Sequence, residues 1–343
     1  MEFSLFYFAD DSVGSAAPGA DPRRYRLLLE GARFADTHGF SAVWTPERHF
    51  HPFGGLYPNP AVTAAALATI TERIRIRAGS VVAPLHDPIR VAEEWMVVDN
   101  LSGGRAEVSF ASGWHPSDFL LQPGNYDQRR ELLVSTVDTV QRLWRGEEVE
   151  RRDGRGEPIR ARAYPPAVQP ELPVWLTSAG STGTFKAAGA MGAGVLTHML
   201  QQDLTTLAAN IAEYRAALGG RTGKVALMLH TFVGADTAEV RSVVREPLKA
   251  YLASSAELFS GASAATGQDL DPALLEELLD LAFERYFTAG GLFGSVEHAA
   301  AMVRRVREIG VDEIACLIDF GIPADTVIDS LGHLDELRAA SAA

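Results

Sequence analysis

Short apolar runs recur along the chain, and each is followed by a longer stretch whose apolar residues return at helical spacing. The runs are FSLFYF, SAVWT, IRIRAGSVV, AEVSFA, LPVWLTSAG, GAGVLTH, VALMLHTFV and DEIACLID. Helical stretches follow at 23–37, 59–71, 88–100, 126–144, 182–190 and 204–218, and a further helix closes the chain. Strands buried on both faces read as continuous apolar runs, and strand–helix alternation implies parallel pairing through right-handed crossovers. Eight such units predict an α/β fold, an eightfold β/α (TIM) barrel formed as one domain over residues 1–343. An open doubly wound sheet is the alternative, and it would leave two edges to protect.

Two segments interrupt the alternation. Residues 147–163, EEVERRDGRGEPIRARA, alternate around DGRGEP and predict a hairpin before strand five. Residues 235–294, after strand seven, are too long for a simple connection and rich in helix formers around 254–271. That length at a barrel's active rim predicts a lid or substrate-recognition insertion, with a plain packing helix as the alternative.

Composition narrows the function. Apolar residues make up 47% and charged residues 22% of the 343, an ordinary globular balance. With 31 basic and 44 acidic residues the formal charge is −13, which disfavours nonspecific binding to nucleic acid or anionic membranes. The start MEFSLFYF lacks a basic segment before its apolar run, and no run reaches the roughly 20 residues of a membrane span, so a cytoplasmic protein is expected. Cys316 is the only cysteine, which excludes an internal disulfide and a Cys-based metal cluster; its strand-like setting predicts packing.

Candidate chemistry gathers at the predicted C-terminal strand ends. In 174–192, VWLTSAGSTGTFKAAGAMG, a buried strand passes through Ser178, Gly180, Ser181, Thr182, Gly183 and Thr184 into an Ala-rich helix. Unpaired N–H groups and the positive macrodipole end at a helix start favour an anion, and the hydroxyls add donors. Neither a GxxxxGK[ST] loop nor a dinucleotide fingerprint is present, so a single phosphate is expected. The second strand runs into TPERHFHPFGG, with Glu47, Arg48, His49 and His51 close together; His49 is a candidate for hydrogen-bonding or acid–base use, with structural pairing to Glu47 as the alternative. His49 and His51 would face one side of an extended segment, the arrangement a barrel metallohydrolase uses. No other strand end supplies convincing further ligands, so no metal is expected. Gly79 and Ser80 end strand three with little volume, leaving room for a flat ring. Ser112 and Trp114 follow strand four, where the indole would wall the pocket or pack.

These residues, together with GFSAVWTPERHF, PNPAVTAAALATIT, RAGSVVAPLHDPIRVAEEWMVVDNLSGGRAEVSFASGW and GSVEHAAAMVRRVREIGVDEIAC, resemble the bacterial luciferase family of flavin-dependent monooxygenases. TPERHFHPFGGLYPNP and GVLTHMLQQ are similar to members encoded with polyketide and nonribosomal peptide assembly lines. The resemblance implies reduced FMN, supplied by a separate flavin reductase, with its phosphate at Ser181 to Thr184 and its ring over a cis peptide at Gly79–Ser80. It implies reaction with dioxygen through a peroxyflavin to oxidise a natural-product intermediate, either free or tethered to a carrier protein, and a homodimer. Two departures stand out. Light-emitting relatives carry adjacent histidines where this chain has Arg48 and His49, and a flavin-contacting arginine of some relatives is replaced by Ser112. Arginine is no base at ordinary pH, but it can stabilise a peroxide anion or anchor a substrate carboxylate. Deazaflavin-dependent hydride transfer and non-catalytic flavin binding share the fold and are the alternatives.

Overall fold

The computed structural model describes residues 1–9, 23–200, 202–260 and 272–342. In chain order its elements are β1 (Glu2–Phe6), α1 (Arg26–Thr37), β2 (Ala42–Thr45), α2 (Pro60–Ala68), β3 (Arg75–Val82), α3 (Pro88–Ser102), β4 (Ala106–Ala111) and α4 (Arg129–Trp144). There follow β5 (Val149–Arg152), β6 (Pro158–Ala161), β7 (Val174–Ser178), α5 (Thr182–Met191), β8 (Gly194–His198), α6 (Leu204–Leu218) and β9 (Val225–Gly234). The chain ends with α7 (Thr237–Ser260), α8 (Pro272–Arg285), β10 (Leu292–Ser295), α9 (Val296–Glu308), β11 (Glu313–Leu317) and α10 (Ala324–Ala340).

Parallel pairing runs β1–β2–β3–β4–β7–β8–β9–β11 and returns from β11 to β1, closing an eight-stranded barrel. The open-sheet alternative therefore falls. Every residue of β9 is buried, as its unbroken apolar sequence requires. This strand is long enough to serve two partners: Ala226–His230 pair with β11, and Thr231–Gly234 pair with β10. The hairpin before strand five is present as antiparallel β5 and β6.

Local signals set the helix ends. Asn59 accepts from the N–H groups of Ala61 and Val62, with Pro60 in the first helical position of α2. Asp87 caps α3 through Ile89 N–H, and Gly103, at φ 65°, ends it in the left-handed conformation that glycine tolerates. The insertion after β9 contains α7 and α8, and the stretch 261–271 of the expected helix-rich region lies outside the described residues.

Below the rim the barrel interior is polar. The Arg77 guanidinium lies between the indoles of Trp44 and Trp175, at 4.6 and 4.7 Å from their centroids. It donates to Glu107 Oε2 at 2.6 Å and to both Glu313 oxygens at 2.8 Å. Trp175 Nε1 donates to Glu107 and Trp44 Nε1 to Glu313, so both carboxylates are fully engaged. Burial acts against the Glu313 carboxylate, but Arg77 and these donors hold it below the ordinary carboxylate range. Glu107, Arg77 and Glu313 thus form a fixed floor under the mouth. Cys316 is fully buried, and burial pushes its thiol up to about 12.

Candidate functional site

A cavity of about 310 Å³ opens at the C-terminal ends of the barrel strands. Phe6, Phe8, Phe53, Leu196, Leu200, Met228 and Tyr251 supply an apolar wall, Tyr251 reaching in from α7. Part of the long insertion therefore covers the mouth. Of the residues singled out in the sequence, Arg48, Gly79, Ser80, Ser112 and Trp114 all line this cavity.

The loop after β2 is built around Glu47, whose side chain is wholly shielded from solvent. Its Oε1 accepts from His49 Nε2 at 2.8 Å and from His86 Nε2 at 2.6 Å, and its Oε2 accepts from Val82 N–H at 2.7 Å. Burial works to raise this carboxyl, but the two imidazoles and the N–H hold it below the usual range. Burial likewise disfavours charge on His86, yet Glu47 outweighs it and raises the imidazole above its ordinary value. His49 thus sits beside Glu47 rather than in the cavity wall. Phe50 has φ 55°, so the chain is not extended there, and His51 instead accepts from Phe53 N–H at 3.1 Å. This backbone turn overturns the paired-histidine arrangement. Among the described residues no group of three or more His, Cys, Asp or Glu is placed to hold a metal.

The Arg48 side chain is 3% exposed and donates from Nη1 to Asp118 Oδ2 at 2.7 Å. Its Nε and Nη2, and Asp118 Oδ1, have no hydrogen-bond partner among the described residues. Burial lowers the guanidinium pKa against the pull of Asp118, and burial raises the Asp118 carboxyl against the pull of Arg48. Trp114, 46% exposed at the mouth, has its ring centroid 5.3 Å from the guanidinium.

The Gly79–Ser80 peptide is cis and lies within β3 rather than at its end, where the pairing with β4 shifts register before continuing at Val81 and Val82. A Cβ at Gly79 would lie 2.8 Å from Phe6 Cε2 and 3.2 Å from Trp44 Cε3, so packing alone demands glycine. Ser80 Oγ is hydrogen-bonded to Thr177 Oγ1, which is also bonded to Ser109 Oγ at 2.7 Å. Three strands thereby place a chain of hydroxyls under the cavity. Ser112 Oγ makes only a long contact, 3.4 Å, to Gly113 O.

The cavity reaches Thr177 and Ala179, and the turn leading into α5 continues from it onto the exposed rim. Here three of the hydroxyls also take part in holding the turn. Ser178 Oγ accepts from Gly180 and Ser181 N–H, Ser181 Oγ caps α5 by accepting from Thr184 N–H, and Thr182 Oγ1 donates to Asn210 Oδ1. The N–H groups of Thr182 and Gly183 remain as the turn's unpaired donors among the described residues. A Cβ at Gly183 would meet only Ser181 Oγ, at 3.7 Å, so the approach is open. An apolar chamber beside an open, donor-rich helix start fits a planar ring carrying a phosphate tail.

Sequence reading missed His86, Asp118, Thr177 and Asn210, which meet the site from distant segments. His198 lines the cavity, and burial pushes its imidazole down to about 4. Behind it His230 falls to about 3, through burial first and His198 second. Both are neutral at ordinary pH.

Comparison with known proteins gives the class. The luciferase-like monooxygenase family matches residues 1–313. The chain belongs to that family, and it is a monooxygenase. It is 24% identical over 338 residues to the oxygenase component of a flavin-dependent trigonelline monooxygenase from Acinetobacter baylyi, a match spanning 94% of this chain and 90% of that one. Its fold is similar to the oxygenating constituent of 3,6-diketocamphane monooxygenase from Pseudomonas putida in complex with FMN, with TM-score 0.75, 18% identity, and 99% and 98% of the two chains covered. It is also similar to an F420-dependent secondary alcohol dehydrogenase in complex with an F420–acetone adduct, with TM-score 0.71, 18% identity, and 100% and 99% covered.

Proposed function

We propose that this protein is the oxygenase component of a two-component FMN monooxygenase, taking reduced FMN from a separate flavin reductase and using dioxygen to oxidise a small organic substrate. The observation that carries this reading is the apolar cavity that ends at Ala179, where the turn begins that leads to the unpaired N–H groups at the start of α5. Thr182 and Gly183 would hold the phosphate, and Gly79, Ser80 and Thr177 would line the ring. Bound reduced flavin supplies the electrons that activate dioxygen. The chain's own part is to exclude water with Phe6, Phe8, Phe53 and Tyr251 and to keep a fixed positive charge at Arg48 facing the developing anion. Arg48 holds no proton to exchange at ordinary pH, and His49, whose Nε2 is bonded to Glu47 away from the cavity lining, would help to hold the loop that carries Arg48.

The deazaflavin reading is kept alive by the F420-dependent fold relative. Titration of the purified protein with FMN, riboflavin and a deazaflavin, followed by flavin fluorescence, separates the two. FMN binding at least tenfold tighter than either competitor supports the proposal, a gap of about 1.4 kcal/mol. Preference for the deazaflavin overturns it.

A further inference from the structure

Asn210, on α6, is 2% exposed and faces the turn that leads into α5. Thr182 Oγ1 donates to its Oδ1 at 2.7 Å, and its Nδ2 donates to Gly180 O at 3.1 Å. The two bonds grip the turn on either side of Ser181. Only the amide nitrogen can satisfy a carbonyl, so the Gly180 bond fixes which way Asn210 points and leaves Oδ1 to receive the Thr182 hydroxyl proton. Behind it Gln202, 4% exposed, donates from Nε2 to Thr197 Oγ1 and to His198 O, both at 2.8 Å. Thr197 Oγ1 in turn donates to Ser178 O at 2.7 Å. Ser178 O, Gly180 O and Thr182 Oγ1 are therefore all held from β8 and α6.

We infer that Asn210 is the positioning residue for phosphate recognition, setting the turn so that the Thr182 and Gly183 N–H groups face an anion. The inference rests on the FMN reading above. Gly180 has φ 120°, a conformation its own freedom does not enforce, so the turn takes its shape from its hydrogen bonds, those of Ser178 Oγ within it and those of Asn210 from outside. Drawing the Gly180 carbonyl toward Asn210 turns its negative end away from the anion. Directing the Thr182 hydroxyl proton to Asn210 leaves recognition to the backbone donors. Gln202 continues the same hold into Thr197 and His198, which line the cavity, so the turn and the chamber wall are set together.

Asn210→Asp and Asn210→Ser test this through the ratio of FMN to riboflavin dissociation constants, read by fluorescence quenching on the purified protein, with thermal melts alongside. Asn210→Asp keeps an acceptor for Thr182 but loses the donor to Gly180 O, and it adds charge near the phosphate. The expected result is FMN weakened by about tenfold or more, with riboflavin within about twofold, and a smaller change of the same kind in Asn210→Ser. A merely structural role would weaken both flavins alike or lower the melting temperature with the ratio intact, and either result overturns the inference. Failure of both variants to fold also overturns it, by making Asn210 a residue of the fold. A wild-type protein with no preference for FMN over riboflavin would instead sink the phosphate assignment, and the Asn210 role with it.

Discussion

Glu47 shows how much one side chain decides. Two imidazoles share its Oε1, so charge on either is compensated by the same carboxylate. Glu47 titrates below its ordinary 4.5, so its contribution to stability is present above pH 4.5 and is lost as pH falls through the lowered value. His86 titrates above its ordinary 6.5, so its contribution is complete below pH 6.5 and is lost as pH rises through the raised value. His86→Gln is therefore expected to cost of order 1 kcal/mol between those limits and less above them, as read from urea unfolding inside that window and well above it. A cost independent of pH would contradict the pairing. The two glycines at the site differ in kind. Gly79→Ala must displace Phe6 and Trp44, both buried, and is expected to lose about 1–3 kcal/mol in a thermal melt. Gly183→Ala should melt like the wild type.

Among the elements, the strands were the most legible. Buried parallel strands carry their own signature in runs such as VALMLHTFV, and α2 and α3 begin at the caps Asn59 and Asp87. β10 was not legible, because LFGS is short and owes its place to the unusual length of β9. The charges inside strand runs at Arg77, Glu107 and Glu313 went unread, although charge on an inward strand position requires partners. The insertion after β9 is held differently. α7 and α8 are joined by ion pairs of Arg241 with Glu284, Arg245 with Asp280 and Lys249 with Glu276. The acidic partners are substantially exposed, so salt should screen this ladder. Amides of α8 are expected to exchange hydrogen faster at high salt than at low salt while those of β9 stay unchanged. Equal behaviour of the two would show that apolar packing alone holds the insertion.

At the scale of the molecule, the barrel brings to one mouth residues that lie far apart in the chain. Arg48 meets Asp118 across 70 positions, Ser80 meets Thr177 across 97, and Glu47 meets His86 across 39. The candidate chemistry was placed at the strand ends because topology alone dictates that rim. The sequence could not show that the hydroxyls of Ser178, Ser181 and Thr182, expected at a phosphate, also bond within the turn or to α6. At the mouth stand a chamber with an apolar wall, an open helix start and a buried cation at Arg48. The most direct measurement of the central claim is rapid mixing of the anaerobically reduced, FMN-loaded protein with dissolved dioxygen, followed by absorbance. The account predicts an absorbing species distinct from both reduced and oxidised flavin that persists before decaying. Direct return to oxidised flavin at the rate of free FMN would contradict it.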